Sequence, residues 1–264
     1  MIDSGFSKSN AEFFSELSMN AYLGVSEFSD IYSEHFDIKF FDSGSTQCYA
    51  LWDDNDLIYA FRGTEPKKLS DIKTDIRFRK IEASEDSSGR VHRGFKEGLD
   101  LIWDDFLDHF ESYSSIGVFK WVPVPGKLEK KKNIFLTGHS LGAALATIAA
   151  GRLDDQNVVG YTYGSPRVGN SEFREAFRPK FYRFRNNNDI VTRQPPEFIG
   201  YTHVGHLNYF DRKGNHVHGF SRWYMFKQYV IGMLVGLKNF EIDSFWDHSS
   251  VKYHKLCKKF NFTE

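Results

Sequence analysis

Ser140 lies at the centre of a Gly-His-Ser-Leu-Gly pentapeptide that begins at Gly138 and ends at Gly142. The apolar segment 133–137 precedes the pentapeptide, and the run 141–153, rich in alanine and leucine, follows it. A Gly-x-Ser-x-Gly motif between a strand and a helix is typical of a nucleophile elbow, where small residues let both elements approach around a strained serine. A plain strand-to-helix turn is the other interpretation of so short a motif. Because both flanking segments are those that an elbow requires, we predict Ser140 as a nucleophile.

A nucleophilic serine also requires a base and a carboxylate from elsewhere in the chain. A serine hydroxyl is a weak nucleophile until a base removes its proton, and that base needs a carboxylate to hold its tautomer. In elbow-containing folds the acid follows the serine in the chain, and the histidine follows the acid. Asp189 fits because it lies in the polar turn after a predicted strand at 181–186, and catalytic groups gather at the carboxyl ends of strands. Asp154 and Asp155 follow Ser140 too closely and are typical of a solvated helix end.

The candidates for the base are the histidines that follow the acid: His203, His206, His216, His218, His248 and His254. We choose His248, which comes after an apolar segment and before a C-terminal helix, but spacing alone fits an exposed loop histidine equally well. His139 adjoins Ser140 and is expected to point away from it and to pack. The pairs 203/206 and 216/218 have a spacing that could suit a metal ion, yet only Asp211 stands nearby as a third ligand. We therefore predict no metal site.

A tetrahedral oxyanion needs two hydrogen-bond donors. The backbone N–H of Leu141, directly after the nucleophile, is expected to be one of them. The second should come from the loop after an earlier strand, and the segment 61–65 ends such a strand. There Gly63 permits a sharp turn, and Thr64 offers both a backbone N–H and a hydroxyl. Since an ordinary turn has the same composition, the segment is weak support when taken by itself.

Six motifs follow one another along the chain: FRGT at 61–64, VHRGF at 91–95, TGHSLGAALA at 137–146, YGSPRVGN at 163–170, NNNDIVTRQPP at 186–196 and DHSSVKY at 247–253. In this order the chain resembles the class 3 lipases, the fungal-lipase-like α/β-hydrolases, over about residues 11–260. The resemblance implies five site residues: the triad Ser140, His248 and Asp189, and the oxyanion donors Thr64 and Leu141. It also implies that the segment with His203 is structural and orders a loop near the sheet edge.

Helical and extended patterns alternate along the chain. Helices are predicted at 11–23, 95–113, 141–153 and 171–177, and strands at 38–41, 47–52, 57–62, 133–137, 158–163 and 181–186. Short turns join the first three strands, which favours antiparallel pairing, whereas helices separate the later strands, which favours parallel pairing. No repeat divides the chain, so residues 1–264 are expected to form a single domain. Together with the resemblance, this predicts an α/β-hydrolase fold: a central, mostly parallel sheet with antiparallel N-terminal strands, helices on both faces and a short lid.

Two segments are candidates for contact with a lipid substrate. At 65–78, where class 3 lipases carry a helical lid, Leu69, Ile72 and Ile76 form a narrow apolar stripe among charged residues. A hinged flap and a short surface helix are equally good interpretations, and so thin a stripe predicts weak activation by a lipid interface. The segment 221–238 is apolar on all sides, which is typical of a helix that is buried or that touches lipid.

The composition excludes several classes of protein. The 264 residues include 34 Lys and Arg against 35 Asp and Glu, so the chain offers no basic surface for nucleic acid or anionic membranes. With 41% hydrophobic and 17% aromatic residues, the chain can form a sizeable core, which excludes a disordered protein. The two cysteines, Cys48 and Cys257, are expected to be unpaired, but their number also allows one disulfide.

No signal peptide is visible at the N-terminus. The longest apolar stretch, 229–237, is too short to cross a bilayer about 30 Å thick. We therefore expect a protein that is cytoplasmic or exported by a non-Sec route.

The residues and the resemblance together predict a serine carboxylic-ester hydrolase, a lipase or esterase that acts through an acyl-serine. Acylglycerols are the expected substrates by resemblance, and membrane phospholipids are the alternative. The expected partners are a lipid or ester substrate and, transiently, a membrane or lipid-droplet surface; no nucleic acid and no cofactor are expected. The alternative to an enzyme is a non-catalytic interaction module. A binding role, however, would not require all five site residues.

Overall fold

The structure is a computed structural model, and it describes residues 2, 5–63, 79–83, 88–113, 132–154, 157–217, 223, 227 and 246–260. Three predicted features lie outside these residues: the oxyanion donor Thr64, the lid stripe at Leu69, Ile72 and Ile76, and the apolar segment 221–238 apart from Trp223 and Lys227.

Strands and helices alternate through the described residues. The strands are β1 (Asp37–Asp42), β2 (Gln47–Trp52), β3 (Asp56–Phe61), β4 (Lys80–Glu82), β5 (Arg90–His92), β6 (Asn133–His139), β7 (Val158–Tyr163), β8 (Lys180–Asn186), β9 (His206–Phe210) and β10 (His216–Val217). The α-helices are α1 (Lys8–Asn20), α2 (Val25–Tyr32), α3 (Arg93–Asp100), α4 (Trp103–Tyr113), α5 (Leu141–Leu153), α6 (Ser171–Ala176) and α7 (Ser250–Lys259). None of the helices in the described ranges is both long enough and apolar enough to span a membrane.

One eight-stranded sheet organises the molecule, in the order β1-β2-β3-β6-β7-β8-β9-β10. Strands β1, β2 and β3 pair antiparallel. Strands β3, β6, β7, β8 and β9 pair parallel in that order, and β10 pairs antiparallel to β9. A separate antiparallel pair joins β4 to β5. The predicted mostly parallel sheet with antiparallel N-terminal strands is thus confirmed.

Helices cover both faces of this sheet, as expected. Side chains alternate across a strand, so Tyr59 and Phe61 of β3 pack into a core with α3, α4 and α5, whereas Ile58 and Ala60 pack into a second core with α1, α2 and α7. Strand β3 is buried along its whole length. Because the sheet is covered on both sides, its carboxyl-terminal edge is a rigid platform for loops.

The predicted helix 95–113 differs from the structure, which has two helices, α3 and α4, separated by a turn at Leu101 and Ile102. Asp104 and Asp105 stand in the first turn of α4, where acidic side chains stabilise the positive end of a helix. Because the apolar periodicity continues across this turn, the sequence pattern did not indicate where the first helix ends. The short elements α2, β4, β5, β9 and β10 were not predicted, since few residues in each carry a periodic pattern.

Candidate active site

Ser140 occupies the turn between β6 and α5. Its backbone, with φ 59° and ψ −124°, lies in a region that L-residues rarely adopt. The Ser140 N–H donates to the carbonyl of Tyr163 at 3.0 Å, and its own carbonyl accepts from the N–H of Ala143 at 3.1 Å. These bonds hold the turn between β7 and the start of α5. Ser140 therefore has the strained strand-to-helix geometry of a nucleophile elbow.

Two glycines make this turn sterically feasible. A Cβ at Gly138 would lie 2.4 Å from the carbonyl carbon of Gly142, and a Cβ at Gly142 would lie 2.1 Å from the carbonyl oxygen of Phe61. Both distances are far shorter than any stable non-bonded contact. Strand β6 and helix α5 can therefore approach each other, and α5 can approach the end of β3, only with glycine at these positions.

The three residues predicted as a triad lie within hydrogen-bonding distance. His248 Nε2 is 2.8 Å from Ser140 Oγ, and His248 Nδ1 is 2.9 Å from Asp189 Oδ2 and 3.0 Å from Oδ1. All three side chains are buried. Asp189 follows β8 and His248 precedes α7, so the sheet edge and the C-terminal helix bring together residues separated by 108 and 59 positions.

The Asp189 carboxylate has donors besides the imidazole. The Tyr253 hydroxyl donates to Oδ2 at 2.6 Å, and the N–H of Val191 donates to Oδ1 at 2.9 Å. Burial by itself would raise the pKa of Asp189, but the neighbouring charge of His248 and the hydrogen bonds from His248 and Tyr253 hold the pKa below its ordinary value. Asp189 therefore stays ionised at neutral pH although it is fully buried.

Asp247, the neighbour of His248, connects the histidine loop to the aspartate loop. Its carboxylate accepts from Asn187 Nδ2 at 2.8 Å and from the N–H of Asn188 at 3.1 Å, while its carbonyl accepts from Asn186 Nδ2 at 2.9 Å. Asp247 is 3% exposed, so these bonds are shielded from water. The two loops that carry the acid and the base are thus tied directly to each other.

His139 packs beside the site, as its position in the motif suggested. Its ring centroid lies 4.6 Å from that of His248, and its Nε2 is 2.6 Å from the His248 carbonyl oxygen. Burial and the charge of His248 lower the pKa of His139 to about 3, so the ring is neutral. The neutral ring donates from Nε2 to that carbonyl and accepts from the Tyr22 hydroxyl at Nδ1, 2.9 Å away. His139 therefore links the turn after α1 to the loop of His248.

Of the two predicted oxyanion donors, the structure describes one. Leu141 is the first residue of α5, so its N–H belongs to the first turn of the helix, where N–H groups have no acceptor within the helix. The second, Thr64, follows the described residue Gly63. A Cβ at Gly63 would lie 2.1 Å from the Tyr22 hydroxyl and 2.5 Å from the His139 carbonyl oxygen, which places the end of β3 against the elbow.

The other histidine candidates lie elsewhere. His203, in a loop before β9, donates from Nε2 to the carbonyl of Thr192 at 2.8 Å, and His206 is the first residue of β9. His216 in β10 contacts Asn208, and His254 in α7 contacts Ser15. His218 lies outside the described residues. Within the described ranges, no group of three or more His, Cys, Asp or Glu side chains could hold a metal ion. Cys48 and Cys257 are both free thiols.

Sequence reasoning missed three residues that surround the predicted triad. Asp247 and Tyr253 are the first and last residues of the DHSSVKY motif, so their place in that motif was an available signal. Tyr22 carried no signal beyond its position in an apolar helical pattern. Their contacts depend on the packing of α1 and α7 against the sheet, which no local pattern specifies.

Comparison with known proteins agrees with this geometry. The family model "Lipase (class 3)" matches residues 58–199, more than half of the chain. The secreted mono- and diacylglycerol lipase MDL2 of Malassezia globosa is 26% identical over 215 residues, which cover 75% of this chain and 64% of that relative. Phospholipase A1-IIdelta of Arabidopsis thaliana is 40% identical over 87 residues, which cover 29% of this chain and 21% of that protein. The chain thus spans less than two thirds of these curated relatives.

A solved structure supports the fold. The lipase from Rhizopus microsporus var. chinensis superposes with a TM-score of 0.62 at 23% identity, over 76% of this chain and 74% of that chain. The predicted α/β-hydrolase fold is confirmed by this likeness and by the sheet order. From the matched family model we conclude that the chain belongs to the class 3 lipase family.

Proposed function

We propose that this protein is a serine carboxylic-ester hydrolase that cleaves acyl esters of acylglycerols. One observation carries the proposal: Ser140, on a strained elbow, is hydrogen-bonded at 2.8 Å to a histidine that is itself hydrogen-bonded to a buried carboxylate. This is the arrangement that activates a serine hydroxyl. Family membership and the mono- and diacylglycerol lipases among the relatives support the substrate class.

In the proposed reaction, Ser140 Oγ attacks the ester carbonyl carbon and its proton passes to His248 Nε2. Asp189 stabilises the imidazolium that forms. The N–H of Leu141, together with Thr64, donates to the oxyanion. When the tetrahedral intermediate collapses, the alcohol leaves with the proton from His248. A water molecule then attacks the acyl-serine by the same steps and releases the carboxylic acid, so the proposal needs no cofactor.

The Ser140→Ala variant tests this proposal. Turnover of nitrophenyl esters and of monoacylglycerol should fall by a factor on the order of 10⁶, by analogy with loss of the nucleophile in a serine protease, and labelling by a fluorophosphonate should disappear. Ser171→Ala is the matched control, because Ser171 starts α6 and its hydroxyl contacts Glu172. Equal rates for wild type and Ser140→Ala would contradict the proposal and favour a non-catalytic interaction module.

Phospholipid acyl esters are a second candidate substrate class. The observation that favours them is the segment of 87 residues that is 40% identical to phospholipase A1-IIdelta. Both substrate classes would use the same serine, so the two hypotheses differ only in the headgroup accepted. Fatty-acid release from monoolein and from phosphatidylcholine, measured at equal interfacial area, distinguishes them. A higher rate on phosphatidylcholine would replace the first substrate assignment with the second.

We also propose transient contact with a lipid surface. Trp223 and Trp246 are 70% and 71% exposed, and an exposed tryptophan is suited to the boundary between water and lipid. The double substitution of Trp223 and Trp246 by serine should weaken binding to phosphatidylcholine vesicles and leave the hydrolysis of a soluble short-chain ester unchanged. Unchanged vesicle sedimentation would contradict this contact.

For localisation we favour export over the cytoplasm. Malassezia relatives are secreted proteins by their names, whereas the cytoplasmic alternative has no support from them. Esterase activity recovered from the culture medium of the native organism, compared with that from its cells, provides the test. Activity confined to the cells would contradict export.

A further inference from the structure

A small cavity lies on the α5 side of the sheet, and neither Ser140, Asp189 nor His248 lines it. Residues of α5, β7 and β8 and of the loops after β7 and before β9 line it. Its polar lining consists of Thr147, Thr162, Ser165, Arg183 and His203, and its other lining residues are apolar. The cavity has room for about one water-sized particle.

The guanidinium of Arg183 is the unusual group in this lining. Arg183 is only 8% exposed, and its Nε is buried without a hydrogen-bond partner. Burial, together with the charges of Arg185 and Arg167, lowers the pKa of Arg183 to about 9, so the side chain is still a cation at neutral pH. A buried cation without a compensating charge destabilises the folded state. The fold therefore places a positive charge where an anion would stabilise it.

The described lining residues provide no such anion, since none of them is acidic. His203 does not compensate the charge: its Nε2 donates to the Thr192 carbonyl, and burial and the neighbouring arginines hold its pKa well below the ordinary value. Two of the three hydroxyls already have acceptors, because Thr147 donates to Ala143 at 2.7 Å and Ser165 donates to the Pro166 carbonyl at 3.1 Å. Thr162 is thus the hydroxyl best placed to donate into the cavity.

We propose that this cavity is a binding site for one small anion of the size of chloride, held by the Arg183 guanidinium and the Thr162 hydroxyl. The cavity size excludes polyatomic anions such as phosphate or a carboxylate. A water molecule would fit the same space, but it carries no charge to offset that of Arg183. Strand β8 continues from Arg183 to Asn186 and leads into the loop that carries Asp189, so a bound anion would stabilise the strand that positions this loop.

Thermal unfolding in chloride tests the site. At constant ionic strength, replacing sodium isethionate by sodium chloride should raise the Tm of the wild type, because a ligand that binds only the folded state stabilises it. A rise of about 3 °C is expected once chloride reaches roughly ten times its Kd. Constant ionic strength removes the general screening effect of salt. Equal Tm values in the two salts would overturn the proposal.

Three variants make the test specific. Arg183→Met should lose the chloride dependence and should match or exceed the wild-type Tm in isethionate, because it removes the uncompensated charge. Thr162→Val, which keeps the side-chain volume, should weaken the dependence. Arg178→Met is the control, since the Arg178 side chain is 62% exposed, and it should keep the full chloride response. A chloride response that persists in Arg183→Met would overturn the proposal.

A direct observation of the anion does not depend on any variant. Crystals of the wild-type protein grown in bromide should show an anomalous peak between Arg183 and Thr162. A water molecule or empty space at this position under saturating bromide would overturn the proposal even if Arg183→Met failed to fold. Neither result depends on the proposed ester hydrolysis, because no residue of the predicted triad lines the cavity.

Discussion

Asp247 illustrates how a residue outside the proposed triad can determine the triad's geometry. The base belongs to a loop near the C-terminus, and the acid belongs to a loop after β8. Asp247 joins the two through its bonds to Asn187 and Asn188. It also forms an ion pair with Lys252 at 2.5 Å, but the Lys252 side chain is 45% exposed. The buried amide bonds therefore contribute more to the position of His248 than the ion pair does.

We predict that Asp247→Asn lowers kcat by about 10- to 100-fold and changes KM little, because displacement of a catalytic group by about 1 Å costs rate rather than substrate affinity. Donors reach both carboxylate oxygens, Asn187 and Asn188 at Oδ2 and Asn186 and Lys252 at Oδ1, so the NH2 group of an asparagine would have to face one of these pairs of donors. Steady-state kinetics on a soluble nitrophenyl ester provide the measurement. Lys252→Met is the matched control and should alter kcat less than threefold. Similar kcat losses in the two variants would show that the ion pair, not the amide network, positions His248.

At the scale of elements, the junction of β3, β6 and α5 fixes the elbow. The N-terminus of α5 touches both the end of β3 and the end of β6 through Gly142 and Gly138. The first turn of α5 is therefore held directly against the end of β3. The backbone geometry of the site thus depends on the absence of a side chain at Gly138 and at Gly142.

We predict that Gly142→Ala destabilises the protein by about 1–3 kcal/mol or more, because its Cβ would overlap the Phe61 carbonyl oxygen and α5 would have to move. Gly98→Ala in α3 is the matched control: its Cβ would meet the Thr46 hydroxyl at an ordinary 3.4 Å, and alanine favours a helix by up to about 1 kcal/mol. Urea unfolding measures both. A Gly142→Ala variant as stable as the wild type would show that α5 can shift away from β3.

For the whole molecule, buried histidines link stability to pH. His92, His109, His139 and His203 all have pKa values below the ordinary histidine value, and burial is the largest cause for each. For His92 and His109 the pKa falls to about 4. In the unfolded chain these rings take up protons near pH 6.5, whereas in the fold they remain neutral to lower pH. Between the folded and the unfolded pKa values the unfolded state therefore binds more protons than the folded state. The free energy of unfolding thus falls as the pH falls.

We predict that the free energy of unfolding decreases between pH 6.5 and 5, by up to about 1.4 kcal/mol per pH unit for each such histidine. Most carboxylates stay ionised in this range, which separates the histidine contribution from general acid unfolding. His109→Gln, which can keep a hydrogen bond to the Tyr59 hydroxyl now 2.8 Å from Nδ1, should have a shallower slope than the wild type in urea unfolding at several pH values. Identical slopes would contradict a neutral buried His109.

The sequence by itself determined the elements that local patterns encode. The boundaries of β2, α5 and β7 follow from runs of apolar residues, and the Gly-x-Ser-x-Gly motif located Ser140 because the turn requires glycine at fixed offsets. For Asp189 the sequence offered a turn after a strand, and for His248 it offered six candidates that spacing could not separate. We chose His248 for its place before a C-terminal helix, and the resemblance to class 3 lipases raised it above the other five. The single-domain expectation for residues 1–264 stays a prediction, as do the lid and the role of Thr64.

Only the tertiary structure decided which distant side chains meet. His248 reaches Ser140 across 108 positions, and Tyr253, Asp247 and His139 contact the same cluster because α1 and α7 pack on one face of the sheet. The buried charge of Arg183 likewise has no signature in the sequence, since an arginine in a strand is usually exposed. Local patterns record the period of each element, but the burial and charge of a side chain depend on neighbours brought together by the packing of the whole fold.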